Sequence, residues 1–273
     1  MTIFEIHTKA AGLVLLIQLV ALWLSMPFRT FALRGPIFYA SFVVTGLIVA
    51  SEYVSAPDAS AILLSIAVGI CLFMISFPRY RQAISRRRMQ SVAKYLHLEP
   101  PFTGRWTSVA SGPDSLLNHH VVASDQYYAS DFIHGNRSYG QPILAPGRGR
   151  VVDVSDDSPD HATSSNPDKR YEKGKPFGNF IVLEIDGGFV FLCHLRCGSI
   201  VVRRGDEVAP RQVLAQCGNS GRSTGAHLHI HAQKTPKPDP FRAQGLPIAF
   251  RVKDTSYRPL VTGDQIVGLP DSI

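Results

Sequence analysis

The chain is short of charge. Only 18% of its 273 residues are Asp, Glu, Lys or Arg, against a usual share of about 25%. With 45% hydrophobic residues, this excludes a disordered, acidic or collagen-like chain. Cysteine is scarce too, and four residues in this length cannot build a disulfide scaffold. An evenly basic face is also missing. The net charge is +7, yet residues 1–78 balance to zero, 79–100 carry +5 and the remainder carries +2. A local excess of this kind argues against nucleic acid as a partner.

What charge there is frames three uncharged stretches, 10–28, 35–51 and 59–78, of 19, 17 and 20 residues. A helix crossing a ~30 Å hydrocarbon core needs roughly 17–25 apolar residues. The expectation is three transmembrane helices in a membrane region over 1–78, with the lipid bilayer as a partner. The first stretch is long and follows an n-region that is acidic as well as basic, which disfavours a cleaved signal peptide. Arg29 and Arg34 in one loop, and the six basic residues of 79–94, place those segments in the cytoplasm by the positive-inside rule. Segment 79–100 reads as a basic juxtamembrane helix and linker, closed by Pro100 and Pro101.

From 101 to 273 the pattern is all-β. Short β-branched runs alternate with Gly and Pro: 149–154, 179–185, 188–193, 199–202, 213–216 and 227–231. Asp186-Gly187-Gly188 between two of them signals a hairpin. An antiparallel sandwich or small barrel follows, with its core at 118–233. Residues 156–177 are polar and rich in Pro, Ser and Asp, and read as a long insertion.

The histidines carry the chemistry. His227, His229 and His231 fall at alternate positions of one run, so a strand would point them to one face. Three imidazoles there need hydrogen-bond partners or a metal. Imidazole is a favoured zinc ligand. Cys193, Cys197 and Cys217 lack the paired spacing of a thiolate site and read as small apolar residues. Strand alternation would turn Cys193 and His194 to opposite sides.

The run Asn219-Ser-Gly-Arg-Ser-Thr-Gly-Ala-His-Leu-His229 resembles the terminal motif of lysostaphin/LytM-type zinc metallopeptidases. In the same order, Ile143–Val152, Gly178-Asn179, Cys193-His194-Leu195 and Gly205–Leu214 are similar to further motifs of that family. The resemblance covers about 118–233. It implies one zinc ion held by His, Asp and His, with two more histidines beside a bound water. Carried over, His229 is the last ligand, and His194 and His227 are the catalytic pair. Asp131 is the carboxylate. Tyr127 stands where the family's usual first histidine would be, so the nitrogen ligand is sought upstream, at His120 or, second, His119. Asp125 is a weaker alternative carboxylate.

The function implied is a membrane-anchored zinc metalloendopeptidase that hydrolyses peptide bonds in peptidoglycan or another peptide substrate. The alternative implied is a catalytically inactive module that binds or activates wall hydrolases. The expected location is a multi-pass protein of the bacterial inner membrane. The family places the soluble domain in the periplasm and the charge rule places it in the cytoplasm. Oligomeric state is not legible.

Overall fold

The computed structural model describes residues 77–161, 174–253 and 256–268. The chain divides into two compact units, 1–84 and 85–273. Residues 77–90 are helical.

The membrane expectations are corrected here. Among the described residues, no helix is long and apolar enough to cross a membrane. The helical residues 77–90 include Arg79, Arg81, Arg86, Arg87 and Arg88, and fall short of the roughly 17–25 apolar residues that a crossing requires. The stretches 10–28, 35–51 and 59–78 lie outside the described residues, apart from 77 and 78. The expected transmembrane half of the fold class, the bilayer partner and the multi-pass inner-membrane location therefore find no support and are not carried forward. The other half of the fold class, an all-β domain, is what the second unit shows.

Its strands are β1 (Leu96–Leu98), β2 (Gly104–Ser111), β3 (Ser130–Ile133), β4 (Pro142–Leu144), β5 (Gly149–Ser155), β6 (Asn179–Ile185) and β7 (Gly188–Leu195). After them come β8 (Glu207–Val208), β9 (Val213–Gln216), β10 (Leu228–Gln233), β11 (Gly245–Leu246), β12 (Ile248–Lys253), β13 (Ser256–Arg258) and β14 (Gln265–Gly268). The main sheet has nine strands in the order β14-β2-β3-β10-β7-β6-β5-β8, with β11 also pairing β10. A two-stranded sheet, β4-β9, and a three-stranded sheet, β1-β12-β13, accompany it.

The hairpin signal at Asp186-Gly187 is realised. Ile185 pairs with Gly188, and the two residues between them have φ of 47° and 78°. Positive φ at both central positions is what a tight hairpin with right-handed twist requires.

Strand β10 is central and buried along its whole length. Leu228, Ile230 and Ala232 join Val190, Leu192, Ile181 and Leu183 in the larger apolar core. Full burial of each Leu, Ile or Val side chain contributes roughly 1.5–3 kcal/mol, which holds the sheet in register. The alternate residues His229, His231 and Gln233 point to the other face. There they lie over Cys193, Phe191 and Phe189, their register partners on β7. A one-residue slip of β10 would bury this polar trio in the larger core, so the pattern fixes which face carries the site.

Candidate metal centre

Four elements bring the site together. Residues His119–Val122 form a 3-10 turn whose N-cap is Asn118. Strand β3 supplies Asp131 and β10 supplies His229, and these two are direct partners in the antiparallel register. The end of β7 supplies His194. His227 immediately precedes β10.

The three expected ligands converge. His229 Nδ1 lies 3.1 Å from His120 Nε2 and 2.9 Å from Asp131 Oδ1. His120 Nε2 lies 3.5 Å from Asp131 Oδ2. Two ligand atoms held ~2.0–2.1 Å from one zinc at a tetrahedral angle sit about 3.3–3.4 Å apart. The three distances, two of them to different oxygens of the Asp131 carboxylate, bracket that spacing. All three residues are buried, yet all three line an open groove of about 970 Å³.

Asn118 determines what His120 offers. Its Nδ2 donates to the carbonyls of Gly112 and Ala129, at 2.8 and 3.4 Å. Carbonyls only accept, so the amide orientation is forced and Oδ1 must face His120. That oxygen accepts the His120 backbone N–H at 3.1 Å and its Nδ1–H at 2.8 Å. Nε2 is then a bare lone pair aimed at Asp131 and His229. Burial, with His229 next, pushes the His120 imidazole down to about 2. Burial, with His227 and His119 after it, pushes His229 down to about 3. Both rings are neutral at pH 7, so their contacts with Asp131 are not ion pairs. A carboxylate and two neutral imidazoles facing one another make an acceptor-rich pocket, which fits a cation of borderline softness such as zinc.

His194 reaches this face by a bulge. In the β6–β7 ladder Phe180 pairs with Cys193 and Asn179 with Leu195, so His194 has no partner. Its φ is 60°. The extra residue turns its side chain onto the same face as Cys193, against the expectation from alternation. The ring centroids of His194 and His227 are 4.7 Å apart, and those of His194 and His229 are 5.8 Å apart. A non-glycine residue in this conformation costs roughly 1–3 kcal/mol, and such strain concentrates where a side chain must be placed.

The two groove histidines are held in the same way. His194 Nδ1–H donates to the Ser220 carbonyl and His227 Nδ1–H to the Gly225 carbonyl, each at 2.8 Å. Both therefore present a bare Nε2. His227 Nε2 lies 3.8 Å from Asp131 Oδ1. Burial, with His227 and His229 next, holds His194 well below its usual range. A buried Asn179 knot supports the Ser220 carbonyl. Asn179 N–H donates to Ser220 Oγ at 2.9 Å, and its Nδ2 donates to the carbonyls of Ser158 and Leu195. Gly178 has φ of 61°, and a Cβ there would meet Ser220 backbone at 2.5 Å, so only glycine lets the two segments approach.

Other candidates fall elsewhere. His119 is exposed and its ring lies against that of His120, with centroids 3.9 Å apart and planes tilted by 38°. It, His120 and Asp131 also bring ligand-type atoms within 4.8 Å of one another, as do Cys193, His229 and His231. Cys193 and His231 do not line the groove, and burial pushes the Cys193 thiol up, away from the thiolate a metal needs. Asp125 is fully buried and absent from the groove lining. Ser220 lies inside the Asn219–His229 motif, with no sequence signal for its carbonyl's part in holding His194. Asn118 opens the Asn-x-His pattern that points to His120 in the sequence.

Residues 131–240 match peptidase family M23. The resemblance read from the motifs thus stands for the segment that carries Asp131, His194, His227 and His229. His120 lies before the matched segment. No curated protein matches the chain. The catalytic domain of the prophage-encoded M23 protein EnpA from Enterococcus faecalis is similar at 22% identity, over 44% of this chain and 73% of that one, with a TM-score of 0.32. The catalytic domain of the antimicrobial peptidase lysostaphin from Staphylococcus simulans is 25% identical over 43% and 74%, with a TM-score of 0.32. A zinc-containing peptidase from Vibrio cholerae is 23% identical over 52% and 35%, with a TM-score of 0.31.

Proposed function

We propose that this protein is a zinc-dependent endopeptidase, with His120, Asp131 and His229 as ligands to one ion, acting on peptides of peptidoglycan. One observation carries the reading. The ligand-type atoms of three buried side chains, His120 Nε2, His229 Nδ1 and the two Asp131 oxygens, meet at 2.9–3.5 Å in the lining of an open groove, inside or next to an M23 segment. Three protein ligands leave a fourth position for water or substrate, as a catalytic zinc site does.

Zinc bound there supplies a Lewis acid and lowers the pKa of a coordinated water toward ~7. The protein's own groups do the rest. His194 and His227 each aim a bare Nε2 into the groove, and either can take a proton from a water lying between them. The ring that has taken the proton then becomes the donor, to the leaving amine or to the oxyanion as the carbonyl becomes tetrahedral. The backbone carbonyls of Ser220 and Gly225 keep both rings in the tautomer this requires. A module released from catalysis has no physical need for these two fixed tautomers, which weighs against an inactive binding role.

The test is release of soluble peptide fragments from isolated peptidoglycan by the purified protein. Hydrolysis should stop with a chelator and return with added zinc. It should fall about 10²–10⁴-fold in His194→Ala, the range of a lost general acid or base. Undiminished hydrolysis by His194→Ala contradicts the assignment.

A further inference from the structure

The three ligands are not held alike. Asp131 and His229 are register partners on neighbouring strands of the main sheet. His120 arrives on a 3-10 turn of four residues, and it lies before the matched segment 131–240. The loop 111–118 leads to it from the end of β2. Within that loop the N–H groups of Leu117 and Asn118 donate to the Asp114 carbonyl, at 3.0 and 2.7 Å. A second anchor comes from far along the chain. The half-buried Thr262 accepts the Ser111 N–H on Oγ1 at 2.8 Å. Its own hydroxyl hydrogen is shared between the carbonyls of Leu117, at 2.9 Å, and Ser111, at 3.1 Å. One hydroxyl thus ties the last residue of β2 to the residue just before Asn118.

Thr262 is itself held. It lies in the turn Val261–Asp264, where the Gly263 N–H donates to the Ser108 carbonyl at 2.7 Å and the Ser108 N–H to the Asp264 carbonyl at 2.8 Å. Asp264 Oδ2 accepts the Val261 N–H at 3.1 Å. The same carboxylate takes both arms of the Arg86 guanidinium, at 2.6 and 3.1 Å. A bidentate pair of this kind fixes direction as well as distance. Arg86 stands in the helical residues 85–90, inside the same compact unit. Beside it, Ser85 and Val261 close over Gly112, whose φ is 82°, and a side chain there would run into both. The Gly112 carbonyl is one of the two that orient the Asn118 amide.

We propose that Thr262 is a positioning residue for the metal ligand His120, and that the Arg86–Asp264 pair holds Thr262 in place. The contacts make one path. Arg86 fixes the Asp264 turn, and the turn presents the Thr262 hydroxyl. That hydroxyl holds the Leu117 carbonyl while the Asp114 carbonyl holds the Asn118 N–H. The Leu117–Asn118 peptide is planar, so it is pinned at both edges and sets where the Asn118 side chain starts. Asn118 Oδ1 then meets the His120 backbone nitrogen at 3.1 Å and its Nδ1 at 2.8 Å. Thr262 touches neither metal nor substrate. Its part is to keep the one ligand that comes from a loop in line with the two that come from the sheet. The metal centre therefore depends on two segments outside residues 131–240, the helical residues 85–90 and the turn Val261–Asp264.

The inference rests on reading the site as a zinc centre, and two measurements on the full chain separate their fates. The first is zinc affinity by competition with a chromophoric chelator. Thr262→Val keeps the shape and loses the hydroxyl, and should bind zinc about 10-fold more weakly, the low end of what losing a partner behind a ligand costs. Thr262→Ser keeps the hydroxyl and should bind as the parent does. In an Asn118→Ala background the path is already cut, so Thr262→Val should cost less than about 2-fold; a general loss of stability would cost the same in both backgrounds. Parent-like affinity in Thr262→Val, or its full effect persisting beside Asn118→Ala, overturns the proposal. If Thr262→Val does not fold, Arg86→Met decides, with zinc expected to weaken by up to about 5-fold, the worth of a partly exposed ion pair, and unchanged affinity overturning the path. The second measurement is amide hydrogen exchange of the chelator-treated protein. Thr262→Val should speed exchange at Asn118 and His120 about tenfold and leave β6 and β7 as in the parent. No change at the loop, or an equal change everywhere, overturns the proposal. If the parent binds no zinc, the zinc reading fails by itself, and exchange still decides whether Thr262 holds the His120 loop.

Discussion

Lowering the pH from 7.5 to 5.5 in the absence of metal should destabilise the β domain steeply. Four histidines are responsible. Burial lowers His120 and His229 to about 2 and about 3. It holds His194 and His231 well below their usual range. The sign follows from proton counting. In the unfolded chain each ring titrates near ~6.5, and in the folded chain it stays neutral. Below that pH the unfolded state binds more protons, so folding loses stability as the pH falls, and the loss continues until the folded-state values are reached. Between pH 7.5 and 5.5 each ring held neutral costs about 1.4 kcal/mol, so four cost about 5 kcal/mol. That is a large part of the 5–15 kcal/mol typical of a domain. Asp125, whose carboxyl burial pushes upward, works in the opposite sense, one group against four. The assay is guanidinium chloride unfolding of the chelator-treated protein at pH 7.5, 6.5 and 5.5, followed by far-ultraviolet circular dichroism. The midpoint should fall by about 1–2 M. A midpoint unchanged across this range refutes the claim that the histidine cluster is buried and neutral.

Three further outcomes follow from named contacts. Asn118→Ala removes the acceptor that holds the His120 Nδ1–H, and should weaken zinc about 10–100-fold in a competition titration. His194→Gly and His194→Ala should both retain stoichiometric zinc, with the glycine variant roughly 1 kcal/mol more stable than the alanine variant, because φ of 60° strains alanine and not glycine; equal stability argues against strain at the bulge. Asn179→Ala removes two side-chain donors and an acceptor from buried carbonyls and the Ser158 N–H, and should cost about 2–4 kcal/mol in denaturant unfolding.

Much of the β domain was legible because strand period and turn chemistry are local. The tight turn at Asp186-Gly187 and the common face of His229 and His231 follow from them directly. The run 199–202 misled for the same reason. It is β-branched, but Val201 is exposed and bonds only as a loop to Leu214. His194 could not be read correctly from alternation, because one unpaired residue in β7 reverses its side. The nitrogen ligand from the 3-10 turn was a choice between neighbours. What distinguishes His120 is Asn118, anchored by the Gly112 and Ala129 carbonyls in other parts of the chain.

The central claim is that His120, Asp131 and His229 hold one zinc ion. Its most direct test is the metal content of the purified protein beside His120→Ala and His229→Ala, each dialysed against limiting zinc. The account predicts close to one zinc per parent chain and almost none in either variant, with circular dichroism showing all three folded. A folded parent that retains no zinc, or a His120→Ala variant that retains a full equivalent, contradicts it.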